Sequence, residues 1–189
     1  LVNPVKNRIT DSHQPFLFRD PPAHDLLRAA AVHQFTPARV QAMRARSERL
    51  VSEMLDRKVG SHEIDIVADL AYPLPVAVIC ELFGVPEGDE ANFHDWSSQL
   101  ATAVEPGVVV SEETRIENAR TFDAISDYLA NLVAEKRRQP RDDLLSGLAN
   151  HATPDGYRMG DLDLISTAIL ILVAGHETAV NLIGNAWLT

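Results

Sequence analysis

The sequence predicts an all-α fold, the helical part of a mainly α protein, with a long buried helix at its C-terminal end. Three observations predict it. Apolar residues recur at helical spacing in one segment after another, and no alternating strand pattern interrupts them. Cap residues followed by proline, the usual start of a helix, stand at Asp20-Pro21-Pro22 and Thr36-Pro37. The final stretch from Asp161 reads as one helix of about 29 residues. It is apolar on nearly all sides from Leu164 to Val173, the pattern of a helix covered by others.

The elements follow in order. Leu1 to Phe18 carries little periodicity and reads as loop. Asp20 as N-cap and Pro21 at the first helical position open a helix to about Val32. Thr36-Pro37 opens the next, with Val40, Met43, Leu50, Met54 and Leu55 near helical spacing and Arg39, Arg44, Arg46 and Arg49 over the remaining surface. A loop follows at Gly60-Ser61. Pro73 and Pro75 forbid one straight helix between Ile64 and Phe83, so a short helix, a kink and a helix from about Pro75 to Phe83 are expected. Gly84 stops it, and Pro86 starts the next, to about Val104. Glu105-Pro106-Gly107 is a loop. Ser111-Glu112-Glu113-Thr114 opens a long helix to about Arg138, acidic in its first turn and basic in its last, as the helix dipole favours. Pro140 ends it. A short helix spans Asp142 to Ala149, and Asp155-Gly156 marks a turn or small hairpin.

Composition narrows the function. At 189 residues the chain is one domain, or one and a half, and a domain near this size hides about 70% of its unfolded surface. The net charge of -10 disfavours a nucleic-acid backbone or an anionic membrane as partner. Cys80 is the single cysteine, which excludes an internal disulfide and a cysteine zinc cluster. No basic run precedes an apolar run at the start, so no secretory signal is read. The most apolar stretch, Leu164 to Ala174, contains Ser166 and Thr167 and is shorter than the roughly 20 residues of a spanning helix. A soluble, reducing, cytoplasmic setting is expected. The chain starts on Leu1, and Trp187, Leu188 and Thr189 still continue an apolar pattern. Residues 1–189 are therefore expected to be a single partial domain, an internal piece of a longer protein.

Two segments carry chemistry. The first is Ala174-Gly175-His176-Glu177-Thr178. Glycine costs about 1 kcal/mol against alanine in a helix interior, and a buried carboxylate costs more unless partnered. Local rules broken in mid-core point to function, although a helix kink or a polar packing patch fits the pattern as well. Ala174 and Thr178 are four apart and share a face. Gly175 admits a close neighbour. The Thr178 hydroxyl bonds back to a carbonyl or turns outward as a donor. His176-Glu177 begins a zinc-protease motif, but position 180 is valine, so no metal site is expected. His176 lies about 200° round from Ala174 and reads as a packing or surface residue. The second segment is Asp20 to Arg28, where His24 and Arg28 are four apart. Two donors on one face make a clamp for a carboxylate or phosphate. The plainer reading is a solvated face with an Asp25–Arg28 pair.

Five blocks, in order, resemble the cytochrome P450 family of haem-thiolate monooxygenases, most closely its soluble bacterial members. They are Asp20-Pro21-Pro22-Ala23-His24 with Arg28; Phe35-Thr36-Pro37-Ala38-Arg39-Val40; Pro73-Leu74-Pro75 with Val78 to Pro86; Asp142-Asp143-Leu144-Leu145; and Ala174 to Thr178 with Asn181-Leu182-Ile183-Gly184-Asn185. The resemblance implies helices C through I of that fold, the last being the central one. It implies an enzyme that activates O2 on haem b and oxidises a small apolar organic substrate, with electrons from a ferredoxin- or flavodoxin-type donor. His24 and Arg28 match the residues that hold haem propionates. Ala174 and Gly175 match the positions where the central helix passes over the iron. Thr178 matches the hydroxyl used in oxygen activation, and Glu177 the acid that helps relay protons.

The resemblance also implies what the chain lacks: the early sheet, the Glu-x-x-Arg pair and the glycine-rich loop with the iron-ligating cysteine. Cys80 lies in an apolar helical run and reads as a small buried hydrophobe. The chain alone is expected to be inactive. Two alternatives stand beside this reading: a P450-like helper or interaction protein without redox chemistry, and a helical binder of apolar ligands. The resemblance implies a pocket roofed by Pro86–Val104, Ser111–Arg138 and a mobile lid at Glu105–Val110. Phe93 and Trp96 face either the pocket or the core, and the core is the expected place. The basic run Arg39–Arg49 reads as a solvated face, or as a dock for an acidic partner.

Overall fold

The computed structural model describes residues 14–104, 111–153 and 156–188. Most of the Leu1–Phe18 loop, the Glu105–Val110 lid, Asp155 of the expected turn and Thr189 lie outside the described residues. The described residues form helices and contain no strand. The helices are α1 (Ala23–His33), α2 (Pro37–Asp56), α3 (Pro73–Phe83), α4 (Glu90–Val104), α5 (Glu112–Arg138), α6 (Leu144–Asn150) and α7 (Asp161–Ala186). A 3-10 turn, Phe16–Phe18, precedes α1, and a π-helical turn, Val67–Ala71, precedes α3.

Local chemistry sets most helix ends. Thr36 accepts the Arg39 N–H at 3.2 Å with Pro37 next in line, and Ser111 accepts the Thr114 N–H at 3.1 Å. Asp143 accepts the Ser146 N–H at 2.7 Å and caps α6. Gly84 ends α3 with φ +65, a left-handed conformation that suits glycine.

Four starts differ from expectation. Helix α4 begins at Glu90, four residues after Pro86, beyond a turn in which Gly88 has φ +97, and α6 begins at Leu144, not Asp142, because Asp143 serves as its cap. Helix α1 begins at Ala23, with Pro22 in the cap position. Pro22 has no N–H for an Asp20 carboxylate to bind, so Asp20 contributes only its carbonyl, to the His24 N–H at 3.2 Å. Helix α3 begins at Pro73, two residues early. First-turn N–H groups have no helical partner, so both prolines fit there. Just upstream the chain makes a wider turn, the Tyr72 N–H reaching the Val67 carbonyl at 2.9 Å.

Helix α2 is more peripheral than its apolar residues suggested. Only Leu50 is buried; Val40 and Leu55 are exposed. Helix α7 is central. Leu164 through Ile169 are all buried, and the helix packs on α3, α4, α5, α6 and the π-turn. It ends at Ala186, leaving Trp187 and Leu188 exposed beyond it. By length and composition α7 is long and apolar enough to cross a membrane, unlike the Leu164–Ala174 run taken alone. In this fold its buried run faces the other helices.

The ends of three helices meet at one buried ion pair. Lys136, in the last turn of α5, is fully buried. Its Nζ lies 2.6 Å from Asp143 Oδ2 and 2.8 Å from the Gly84 carbonyl. A Cβ on Gly84 would sit 2.5 Å from both the Lys136 Nζ and the Asp143 Oδ2. So α3 must end in glycine for the cation to reach the cap of α6. Removing one partner from a buried pair strands the other charge. Lys136→Met is therefore expected to lower the unfolding free energy by about 3–5 kcal/mol in denaturant titration. Adding Asp143→Asn should recover part of that loss, because asparagine still caps α6 without a charge.

Candidate functional site

The segment Ala174 to Thr178 lies in the second half of α7, and its faces divide sharply. Ala174 and Thr178 are exposed, Gly175 and Glu177 half-buried, and His176 fully buried. The Thr178 hydroxyl donates to the Ala174 carbonyl at 2.6 Å, tying the two outward positions together. Gly175 faces α3: an added Cβ would meet Ile79 Cδ1 at 3.1 Å. The close neighbour that this glycine admits is therefore Ile79. Glu177 makes no hydrogen bond or ion pair among the described residues.

His176 takes the packing alternative. Its Nε2 donates to the Tyr72 carbonyl at 3.2 Å, and its ring meets the Tyr72 ring edge-on at 4.8 Å. Burial holds its pKa below the ordinary 6.5.

On α1, His24 and Arg28 lie one turn apart. His24 Nδ1 donates to the Phe16 carbonyl at 2.9 Å, which fixes the ring and leaves Nε2 unused. Arg28 is exposed and forms no ion pair among the described residues, so the expected Asp25–Arg28 pair is not made. The helix thus offers a set of donors suited to an anionic group. No hydrogen bond, ion pair or ring contact among the described residues joins this pair to the α7 segment.

Iron ligation finds no such match. Cys80 is 1% exposed within the core. Burial, reinforced by Glu90 and Asp89, pushes its thiol far above the usual range. The donors of α1 therefore fit an anionic group such as a haem propionate, while Cys80, the sole cysteine, is closed off from any iron.

Other expectations meet the structure as follows. Phe93 is fully buried and forms a ring cluster with Trp96 and Tyr128 at 5.3–5.5 Å between centroids. The basic run of α2 is largely neutralised within the fold. Arg39 pairs with Asp142, Arg44 with Glu48, Arg46 with Glu81, and Arg49 with Glu53 and Glu81. Such a surface has little free charge for an acidic partner. An open groove between α2, α3 and α4, lined by Arg46, Arg49, Glu53, Glu81 and His94, includes no residue of α1 or α7. Sequence reasoning missed Tyr72. The only signal was an aromatic residue directly before Pro73, which says nothing of a partner on α7.

No family model matches the chain. It is 41% identical over 170 residues to cytochrome P450 107B1 of Saccharopolyspora erythraea, covering 90% of this chain and 40% of that protein. It is 38% identical to 6-deoxyerythronolide B hydroxylase of the same organism, over 87% of this chain and 39% of that protein. Ligand-free cytochrome P450 TbtJ1 superposes with a TM-score of 0.85 at 36% identity, over 97% of this chain and 47% of that structure. The chain belongs to the bacterial cytochrome P450 family. It spans about 40% of the length of the curated relatives that it matches. CYP109E1 of Bacillus megaterium, solved with testosterone, matches with a TM-score of 0.82 at 34% identity, over 92% of this chain and 46% of that structure. The all-helical architecture corresponds to the helical portion of the P450 fold.

The burial of Cys80 has a direct chemical consequence. The nucleophile in alkylation is the exposed thiolate. Cys80 should resist iodoacetamide at neutral pH in the native protein and react once denaturant is added, as read by intact mass. Equal labelling in both conditions would contradict the core placement.

Proposed function

We propose that this chain supplies the oxygen-side portion of a cytochrome P450 monooxygenase that uses O2 to oxidise a small apolar organic substrate. The observation that carries the reading is Thr178. It stands exposed on α7 one turn from Ala174, with His176 turned into the core. Identity of 38% to a hydroxylase supports the same reaction class. Residues 1–189 act as one partial domain of that enzyme. Its setting is the cytoplasm, and its electrons come from a ferredoxin- or flavodoxin-type donor.

Haem b, when bound, supplies the redox chemistry and the oxygen site. The chain's own residues do the rest. His24 Nε2 and the Arg28 guanidinium hold the propionates through charge-assisted bonds. Ala174, with only a methyl, keeps the outward face of α7 low, and Gly175 lets the helix seat closely on Ile79. Thr178 holds a hydroxyl proton at Oγ1, parked on the Ala174 carbonyl and free to rotate outward. Glu177 is half-buried and moves protons between solvent and that face. The isolated chain does not turn over substrate, because Cys80 is sealed in the core.

Two variants of the complete enzyme test these roles. Thr178→Ala removes the outward hydroxyl but no core contact. Haem and substrate binding should persist, while product per reducing equivalent falls by about tenfold, the worth of one hydrogen bond. The lost equivalents should appear as hydrogen peroxide. Glu177→Gln should instead slow turnover by about 10²-fold with little peroxide, since a positioned acid contributes at least that much. Unchanged coupling in Thr178→Ala would sink the role given to the hydroxyl.

A further inference from the structure

We propose that His176 is a positioning residue, a buried clamp that sets how α7 is rotated and so which way Ala174 and Thr178 face. The proposal rests on the reading of α7 given above. Three observations carry it. His176 is fully buried, on the side of α7 turned away from Thr178. Its single hydrogen bond spans 104 positions of sequence, from Nε2 to the Tyr72 carbonyl at 3.2 Å. Tyr72 is itself held: its N–H closes the π-turn on Val67, and its ring meets His94 of α4 at 4.5 Å and His176 at 4.8 Å. Three rings in series therefore join α4, the start of α3 and α7.

An apolar side chain would fill the same space without fixing an angle. A hydrogen bond is directional and weakens steeply when bent, so the imidazole resists rotation of α7 in a way that packing alone does not. Rotation matters here because the outward face is narrow. Gly175, beside it, has no room for a side chain before Ile79, and a turn of the helix would carry Thr178 toward α3 or away from the site.

Burial favours the neutral ring. Nε2–H serves Tyr72, while Nδ1 is buried with no partner. Protonation would add a charge and an unpaired N–H there. The groups acting on the ring are Tyr72 at the head of α3, His94 on α4 and Glu177 on its own helix. Tyr72 and Glu177 favour the proton, whereas His94 and, above all, burial oppose it. With the folded pKa depressed, the unfolded chain takes up a proton first as pH falls. The stability from the neutral clamp is full above about 6.5 and is lost as pH drops below that value.

The test uses the complete protein and two variants. His176→Phe keeps a ring and removes the donor; His176→Gln keeps a donor that can reach the Tyr72 carbonyl. Amide hydrogen exchange across residues 174–178 should rise about tenfold in His176→Phe, the fold-change of one lost hydrogen bond, and return toward wild type in His176→Gln. Between pH 7.5 and 5.5 the wild type should lose more thermal stability than His176→Phe, which has no ring to protonate. Product per reducing equivalent should fall in His176→Phe and recover in His176→Gln. Unchanged exchange at 174–178, or equal pH slopes for wild type and His176→Phe, would overturn the proposal. Neither readout needs turnover. A wild type with no monooxygenase activity would count against the functional reading, while exchange and pH slope would still decide the clamp.

Discussion

Helix α7 must be buried on one side and open on the other, and the remaining architecture follows from that demand. Its first half is a sealed run, Leu164 to Ile169, in contact with helices on several sides. Its second half divides within one turn: His176 faces in, while Ala174 and Thr178 face out. A helix apolar all round would aggregate or stay wholly hidden. The polar interruption at His176 and Glu177 falls where one face of the helix leaves the core while the other stays within it.

The helices beside α7 are held by polar contacts, the innermost of them buried. Lys136 gathers the end of α3, the end of α5 and the cap of α6 into one junction. Arg137, its neighbour, donates to the Ala149 and Met159 carbonyls and pairs with Asp161, fixing the approach to α7. Arg19 pairs with Asp163 at 2.6 Å and ties the segment before α1 to the first turn of α7. These pairs add little raw stability, since desolvation offsets much of the attraction. Their effect is geometric: each admits one relative placement of the helices it joins.

What could be read from the sequence was what is decided locally. Thr36, Ser111 and Gly84 act on groups within a few residues, and their helices start or stop where expected. The i,i+4 relation of Ala174 to Thr178, and of His24 to Arg28, follows from helix geometry alone. The misread starts of α1 and α3 both turn on proline, whose missing N–H matters differently in the cap, the first turn and the interior. The remaining errors come from distant partners. Lys136 read only as part of a basic last turn because nothing nearby announces Gly84, 52 positions away. The arginines of α2 read as a solvated face, or as a dock for an acidic partner, because Glu81 lies on another helix. His176 gave no sign of Tyr72.

The central claim is that this chain carries the oxygen-side residues of a haem-thiolate site and not its thiolate. The absorption spectrum of the reduced, CO-bound state tests it most directly, recorded on the complete protein and on residues 1–189 mixed with haem. The complete protein should give the thiolate–haem band, and the 189-residue chain should not, with Cys80 locked in the core. A thiolate–haem band from the short chain, or none from the complete protein, would contradict the account.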